Sequence, residues 1–310
     1  MKILTSLLTG IIILMNYPAL AQTSLYIYSS ETNQPLPYAS VVNHTKRQLY
    51  FSNENGLLEY GFGTGDSISI TYVGYFPYYG KINEKESFQI KFQPDKLLLS
   101  EVILKPCSNW INAAFDNLAG DSSGRTFGGL HWIENSLNAK VAVLLESSDD
   151  RSYLENFSFW LEKTNFGNQS SYKAHIKFSF YKVIDSTGLP GDLIVAKQVI
   201  YQPKKTGKQT IQSDSLHIRM PENGMYIAFE IPFDKKYANR VKVLTEDNNE
   251  GQVHNFYGGQ IQGVFSRKNI LAFYDYLQNN WHFAINRTKD DMYKTHGTIK
   301  LAYTVKSCAD

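Results

Sequence analysis

The sequence predicts an all-β protein of two β-sandwiches, a smaller one followed by a larger one, with one short helix linking them. Apolar and polar residues alternate at period two in many short runs, most clearly at 67–75 and 174–180. Such alternation is typical of strands that bury one face. Turn-forming residues separate the runs, for example at 53–56 and 222–224. No repeat of fixed length indicates a propeller or a solenoid.

Residues 1–21 have the features of a signal peptide. A basic head that contains Lys2 precedes an apolar run at 3–15, and small residues favour cleavage after Ala21. The next residue is Gln22 rather than Cys, so the thiol that a lipid anchor requires is not there. No later run is apolar and uncharged enough for a membrane span after cleavage. We therefore expect an exported protein of the periplasm or the outer membrane.

The mature chain is predicted to be close to neutral. The full sequence has 31 basic and 29 acidic residues, and cleavage removes only Lys2 among them. Proteins that bind DNA or RNA usually carry a clustered basic excess, whereas Lys and Arg are scattered here. We therefore expect no nucleic-acid partner. Hydrophobic residues make up 43% of the chain, which is enough for two folded domains.

Residues 22–105 are predicted to form the smaller sandwich from about seven strands. Pro35 and Pro37 limit the backbone near its start to extended or turn conformations. The segment 53–56 is predicted to turn a hairpin, because Asn and Gly tolerate left-handed backbone. The predicted strands are 25–28, 38–43, 48–52, 57–60, 67–75, 88–92 and 98–104.

Four motifs in this region follow one another in a recognisable order. They are PLPYASV (35–41), SNENG (52–56), DSISITYVGY (66–75) and LSEV (99–102). With these motifs, residues 23–105 resemble the carboxypeptidase regulatory-like domain of bacterial cell-envelope proteins. The resemblance implies a transthyretin-like β-sandwich, which in that family is fused to peptidases, outer-membrane transporters and other surface proteins. It does not imply peptidase activity.

Five aromatic residues lie close together in this region. Alternate rings are predicted to fill the core and its rim, since aromatic residues suit half-buried strands. An exposed aromatic platform for a sugar or a peptide is the alternative. The residues are Tyr72, Tyr75, Phe76, Tyr78 and Tyr79.

Residues 106–120 are predicted to form a linker that contains one short amphipathic helix. Pro106 marks the boundary, and four apolar residues follow it at helical spacing. Ser108 is placed to cap this helix and Gly120 to end it. The apolar positions are Ile111, Ala114, Phe115 and Leu118.

Residues 121–310 are predicted to form the second sandwich, which is antiparallel and of jelly-roll type. Within 174–180, small or apolar residues occupy one face, and His175, Lys177 and Ser179 occupy the other. The predicted strands are 141–146, 157–161, 174–181, 194–201, 216–220, 225–231, 270–274 and 298–305.

The two cysteines, Cys107 and Cys308, flank the second sandwich. In an oxidising compartment they could close it as a disulfide, because the ends of a domain often lie close together. Two unpaired thiols are the alternative. A metal site has little support from two distant cysteines without a neighbouring pair of histidines.

His131 and Glu134 form the sharpest catalytic candidate. Their His-x-x-Glu spacing is that of two zinc ligands in carboxypeptidases, but no third ligand or general base is identifiable. On a strand, moreover, positions three apart face opposite sides of the sheet. Motifs for a serine nucleophile, a phosphate or a dinucleotide are not found either. We therefore expect no bound metal, no cofactor and no catalytic residue.

Tryptophans are the remaining hint of function, since flat aromatic faces stack on sugars and anchor protein interfaces. Trp132, Trp160 and Trp281 are each predicted to pack in the core, and Trp281, which follows a polar turn, is the best candidate for stacking on a ligand instead. The leading hypothesis is an exported, non-enzymatic binding or assembly module whose partner is an envelope protein or a glycan. The alternatives are a hydrolase, either a peptidase or a glycosidase, with its site in the second sandwich, and a carbohydrate-binding module.

Overall fold

The structure of the protein is a computed structural model. It describes residues 24–59, 62–83, 88–95, 110–116, 130–133, 139–146, 152–163, 171–213, 216–243, 252–266, 271–283 and 296–308. These segments form strands, turns and short 3-10 helices, among them Ser171–Lys173 and Lys235–Tyr237. The predicted all-β class is therefore confirmed. Within the described segments, no helix is long and apolar enough to cross a membrane. The predicted signal peptide lies outside them.

The strands are numbered in chain order. The first seven are β1 Ser24–Ser29, β2 Ser40–Asn43, β3 Gln48–Phe51, β4 Leu57–Glu59, β5 Ser67–Thr71, β6 Tyr78–Lys81 and β7 Phe88–Phe92. The others are β8 Trp110–Asp116, β9 Leu130–Ile133, β10 Lys140–Leu145, β11 Tyr153–Glu162, β12 Ile176–Val183, β13 Pro190–Leu193, β14 Val199–Tyr201, β15 Gly207–Gln212, β16 Met225–Glu230, β17 Ala238–Val243, β18 Gln252–Ile261, β19 Gly263–Ser266, β20 Leu271–Asp275, β21 Asn280–Phe283, β22 His296–Ile299 and β23 Leu301–Cys308.

Two sheets form the first sandwich. One has three strands in the order β4-β1-β7, and the other has four in the order β3-β2-β5-β6. Alternate apolar side chains from both sheets meet in one buried cluster, including Leu25 and Ile27 of β1 with Ile68 and Ile70 of β5. The predicted strand at 98–104 lies outside the described residues. The strand predicted at 67–75 ends at Thr71, and β6 at Tyr78–Lys81 is a strand that was not predicted.

The turn at 53–56 is present, but the predicted hairpin is wrong. Gly56 donates its N–H to the carbonyl of Asn53 at 3.0 Å and has a φ of 68°. Strand β3 before the turn pairs with β2, whereas β4 after it pairs with β1. The turn therefore carries the chain from one sheet to the other. A Cβ on Gly56 would lie 2.5 Å from the carbonyl oxygen of Ile27 in β1, so only glycine fits this crossing.

A buried carboxylate fixes one end of the first sandwich. Asp66 Oδ2 accepts hydrogen bonds from the side-chain amide of Asn43 at 2.7 Å and from the N–H of Gly63 at 2.9 Å. It also pairs with Lys46 Nζ at 3.1 Å. Burial alone would raise the pKa of Asp66, but these interactions outweigh burial and lower the pKa below its usual value. The folded protein therefore favours the ionised form.

Two antiparallel sheets form the second sandwich, as the sequence predicted. The first, here called the cleft sheet, runs β13-β12-β16-β10-β20-β21, with β14 paired to β12. The second runs β17-β18-β11-β23-β8, with β15 paired to β11 and β9 to β18. Phenylalanine rings from the two sheets meet edge to face between them, with centroids 5.0 to 5.5 Å apart, and the residues are Phe157, Phe159, Phe178 and Phe229.

The predicted linking helix is wrong. Residues 110–116 form strand β8, which pairs with β23 over its whole length. The ring of Phe115 stacks on that of Tyr303 with centroids 5.1 Å apart, whereas Ile111 is 56% exposed. Helical spacing of a few apolar residues is a weak local preference, and a full ladder of strand pairing outweighs it. Leu118 and the two expected capping residues lie outside the described segments.

The sheet β3-β2-β5-β6 is buried on both faces where it meets the second sandwich. In β2, Val41 joins the core of the first sandwich, whereas its neighbour Val42 joins the core of the second. Leu49 and Phe51 of β3 also belong to the second core, and Phe51 meets the ring of Phe233 at 4.9 Å. The two sandwiches therefore share an apolar contact, and a cleft opens beside it.

Candidate functional site

A row of five side chains crosses the cleft sheet on the face toward the first sandwich. Strand register places Lys177 of β12 opposite Glu230 of β16, and Glu230 opposite Lys140 of β10. Lys140 is in turn opposite Tyr274 of β20, which is opposite Trp281 of β21. Residues in such positions have Cβ atoms about 5 Å apart. Three charged groups and two aromatic rings are therefore neighbours, although they are far apart in the sequence.

A buried ion pair at one end of this row connects the two sandwiches. Lys177 Nζ lies 2.6 Å from Glu230 Oε2, and both side chains are about 5% exposed or less. The ammonium group also donates to the carbonyl of Tyr38 at 2.8 Å and to Ser40 Oγ at 3.2 Å. Ser40 donates to Glu230 Oε1 at 3.2 Å and lies 3.4 Å from the hydroxyl of Tyr276. Strand β2 is therefore tied to β12 and β16 by polar contacts as well as apolar ones.

The two lysines of the row have opposite pKa shifts. Burial lowers the pKa of Lys177 below its ordinary value, although the attraction of Glu230 opposes this. Burial would also lower the pKa of Lys140, but Tyr181, Glu230 and Tyr274 around it outweigh burial and raise the pKa above its ordinary value. Lys140 is therefore a cation at neutral pH.

Trp281 packs in an aromatic cluster on the same face. Its ring meets those of Tyr181 at 5.3 Å and Tyr274 at 5.0 Å, both at steep angles. Tyr181 lies on β12 and Trp281 on β21, with β16, β10 and β20 between them. Neighbouring strands are about 4.8 Å apart, so the rings of Tyr181 and Trp281 meet across three intervening strands. The contact requires small side chains below it, and the three strands provide Ala228, Ala142 and Ala272 directly opposite one another.

The cleft between this face and the first sandwich encloses about 590 Å³. The first sandwich contributes Tyr72, Tyr75 and Tyr79 to its lining, and the cleft sheet contributes the row described above. Burial raises the pKa of Tyr72 to about 12. Tyr72 and Tyr75 pack against the core of the first sandwich, whereas Tyr79 is 65% exposed. The aromatic segment thus fills the rim of the core and also presents a ring to the cleft.

Gly74 allows the two sandwiches to touch beside the cleft. Its φ is 82°, and a Cβ there would lie 2.2 Å from the carbonyl oxygen of Ala196. The segment that contains Ala196 also carries Gln198, which lines the cleft. Both polar atoms of the Gln198 amide are buried, and within the described segments neither has a hydrogen-bond partner. Since leaving a buried amide unpaired is unfavourable, this group is suited to donate to and accept from a ligand.

A second polar group lies elsewhere at the contact between the sandwiches. Glu54, His175 and Asp234, here called the junction triad, place one ligand-type atom each within 4.8 Å of one another. The hydroxyl of Tyr38 hydrogen-bonds His175 Nδ1 at 2.9 Å. Imidazole and carboxylate groups are zinc ligands, so the triad has the chemistry of a metal site. Burial lowers the pKa of His175 although Glu54 and Asp234 oppose this, and Lys236 lowers it further. The positive charge of Lys236 also opposes a cation at the triad.

The structure places the predicted tryptophans in different surroundings. Trp281 is 9% exposed and lines the cleft, so its contact with a ligand stays a prediction. Trp160 is half-buried, and the ammonium groups of Lys300 and Lys208 lie 4.4 Å and 5.6 Å from its ring. Trp132 lies on strand β9.

The predicted disulfide, and the expectation that His131 and Glu134 bind no zinc, stay predictions. Strand pairing brings Cys308 opposite Trp110 at the end of β8, and Cys107 precedes Trp110 by three residues but lies outside the described segments. His131 lies on β9, whereas Glu134 lies just beyond the described residues.

Sequence reasoning missed Lys140, Glu230 and Gln198 as residues of a site. A signal was present for Lys140 and Glu230: each is the single charge in an otherwise apolar strand, KVAVLL (140–145) and MYIAFE (225–230). An ionisable residue in such a strand is rarely fully buried unless it is paired. The sequence gives no comparable signal for Gln198. What marks this residue is that its amide has no hydrogen-bond partner among the described residues, and only the structure shows this.

Comparisons with known proteins give weak likenesses. No family model and no curated protein matches the chain. Among solved structures, the chain is similar to the cysteine protease and lectin-like domains of a surface layer associated protein of Clostridium difficile, with 11% identity, a TM-score of 0.36, and coverage of 66% of this chain and 37% of that one. A clostridial cysteine protease after propeptide cleavage gives 11% identity, a TM-score of 0.35, and coverage of 80% and 53%. A putative carbohydrate binding protein from Bacteroides uniformis gives 9% identity, a TM-score of 0.19, and coverage of 77% and 98%. This chain thus spans about half or less of the two clostridial structures, and scores this low carry no argument about function.

Proposed function

We propose that the protein is an exported, non-enzymatic binding module of the bacterial envelope that holds a glycan in the cleft between its two sandwiches. The observation that carries the proposal is the cleft itself, with a volume of about 590 Å³ and a mixed aromatic and polar lining. Small-molecule sites usually have volumes of about 300 to 1,000 Å³, with aromatic walls and a few polar groups that fix orientation.

The lining offers both kinds of contact that a sugar needs. The exposed ring of Tyr79 supplies aromatic surface from the first sandwich, and Trp281 supplies it from the cleft sheet. The amide of Gln198, which has no hydrogen-bond partner among the described residues, and the side chain of Asn279 supply donors and acceptors for hydroxyl groups. This combination supports a saccharide better than a purely apolar ligand.

The charged groups of the cleft support binding over catalysis. Glu230 has one oxygen on Lys177 and the other on Ser40, so neither oxygen is free to act as a general acid or base. Asp192, the other carboxylate of the lining, is exposed. The signal peptide predicted at 1–21 and the resemblance of residues 23–105 to an envelope domain support the proposed location.

A glycan array followed by isothermal titration calorimetry tests the proposal. We expect selective binding whose affinity falls by at least about tenfold in Tyr79→Ala, because the variant loses an aromatic ring that lines the cleft. Tyr79 is exposed, so its ring can be removed without opening the core. Phe76→Ala is the matched control, because Phe76 is an exposed aromatic residue of the same segment that does not line the cleft. Equal loss in both variants, no glycan binding at all, or cleavage of a bound glycan would each overturn the proposal.

A further inference from the structure

The charged groups of the cleft differ in how well they are paired. An ammonium group has three N–H donors, and Lys177 directs them to Glu230, Tyr38 and Ser40. Glu230 is in turn occupied by Lys177 and Ser40. The charged groups at this end of the row therefore have their hydrogen-bond and ion-pair partners within the protein and need none from a ligand.

Lys140 has different surroundings. Its ammonium group lies 4.7 Å from the ring centroid of Tyr274 and 5.1 Å from that of Tyr276, and it hydrogen-bonds Tyr181. Rings and hydroxyl groups hold a cation in place but do not neutralise its charge. Glu230 attracts Lys140 from the adjacent strand, although both of its oxygens are engaged as described above. Lys140 is half-buried and lines the cleft, so its charge faces the space that a ligand would occupy.

The buried and half-buried residues that line the cleft carry one more positive charge than negative, because the second carboxylate of the lining, Asp192, is exposed. Among the described residues that line it, Lys140 and Lys177 are cationic, and Glu230 and Asp192 are anionic. Asp192 is exposed, so water and salt screen its charge more strongly than those of the half-buried and buried groups. One ammonium group, that of Lys140, remains without a carboxylate of its own inside the cleft.

Building on the proposed function, we propose that the cleft selects an acidic saccharide, one that carries a carboxylate or a sulfate group. The anionic group lies against Lys140, a sugar hydroxyl pairs with the buried amide of Gln198, and the ring of Tyr79 covers the sugar. A charge-assisted hydrogen bond in a partly desolvated site is stronger than a neutral one, so the charged group gives selectivity over neutral sugars.

The test compares charged and neutral forms of the same oligosaccharide. Calorimetry is run with an oligogalacturonate, with its carboxyl-reduced neutral counterpart, and with a sulfated oligosaccharide of equal length. The acidic class that the array identifies is included in the same way. We expect at least about tenfold tighter binding of an acidic form than of its neutral counterpart, and a preference that weakens with salt. The carboxylate and sulfate arms show which anionic group the cleft takes.

Three lysine variants assign the preference to its residue. Lys140→Met should abolish the preference for the acidic form and leave weak binding of the neutral form. Lys140→Arg should retain the preference, which keeps the proposal testable if the methionine variant folds poorly. Lys182→Met is the control, since Lys182 is exposed on the same sheet and does not line the cleft.

The outcomes separate this inference from the proposed function. Equal affinity for acidic and neutral forms, or a preference that survives Lys140→Met, overturns the acidic specificity while glycan binding stands. Binding of no saccharide, or binding that Tyr79→Ala leaves unchanged, overturns the proposed function and the inference together.

Discussion

Replacing Lys177 with methionine should destabilise the protein strongly, because it leaves Glu230 buried without its ion-pair partner. Lys177→Met keeps much of the aliphatic side chain and removes the ammonium group. The carboxylate then loses the 2.6 Å contact to Lys177 Nζ, and the carbonyl of Tyr38 loses its donor at 2.8 Å. Stability should fall through this lost pairing rather than through a cavity.

The magnitude follows from the burial of the pair. Removing one partner of a buried ion pair costs about 3 to 5 kcal/mol. We expect about 3 kcal/mol, the lower end, because Glu230 keeps its hydrogen bond from Ser40 and the attraction of Lys140 on the neighbouring strand. At about 2 to 4 °C per kcal/mol for a domain of roughly this size, the Tm should fall by roughly 6 to 12 °C.

A double-mutant cycle with Glu230→Gln checks the reasoning. Thermal unfolding of the wild type, the two single variants and the double variant gives the coupling between the two positions. The double variant should be less destabilised than the sum of the singles by about 2 kcal/mol, because neither of the two mutated positions then carries a buried charge without its partner. A coupling near zero, or a Lys177→Met variant within about 0.5 kcal/mol of the wild type, would refute the account of the pair as a buried contact between the sandwiches.

Three further predictions concern other parts of the chain. Cys107 and Cys308 should be disulfide-bonded in protein taken from an oxidising compartment, and non-reducing peptide mapping checks this; two freely alkylated thiols would contradict it. His131 and Glu134 should bind no zinc, so elemental analysis after dialysis should find no stoichiometric metal; zinc that His131→Ala removes would contradict this, whereas zinc that survives it would point to the junction triad. Asp66→Asn should lower the Tm at neutral pH. Because the pKa of Asp66 is lower in the folded than in the unfolded state, its contribution is present above the unfolded value and is lost as pH falls through the folded value. The difference in Tm between wild type and variant should therefore shrink in acid, and a difference that stays constant would argue against it.

Much of the fold is predictable because period-two alternation is a local property. Strands β1, β10 and β16 were predicted within a few residues of their observed ends, since β1 alternates and β10 and β16 are short continuous apolar runs, which are equally local signals. Strand β8 was mistaken for a helix because its apolar residues also fit helical spacing, and only the pairing with β23 decides between them. The turn at 53–56 was recognised, but which strands it connects depends on partners elsewhere in the chain.

The cleft was not predictable by the same reasoning. Its central row depends on the register of five strands, and register is set by partners that lie far apart in the sequence. Lys177 was placed on the polar face of its strand, but a polar face does not reveal whether water or another sheet covers it. Here the first sandwich covers it, and Tyr38 and Ser40 add polar contacts to the ion pair with Glu230.

The sheet that is buried on both faces also has a consequence for how the chain folds. Ser40 bonds to groups 190 and 236 positions later in the chain, and Lys177 reaches Tyr38 over 139 positions. Contacts of such long range form slowly. Because the chain emerges with its N-terminus first, β2 and β3 are exposed before their partner strands have emerged. The apolar side chains of Val42, Leu49 and Phe51 therefore stay exposed to solvent until the strands of the second sandwich, including β16, have formed. We expect newly exported protein to pass through an aggregation-prone, protease-sensitive intermediate, which disappears when the second sandwich packs against the first.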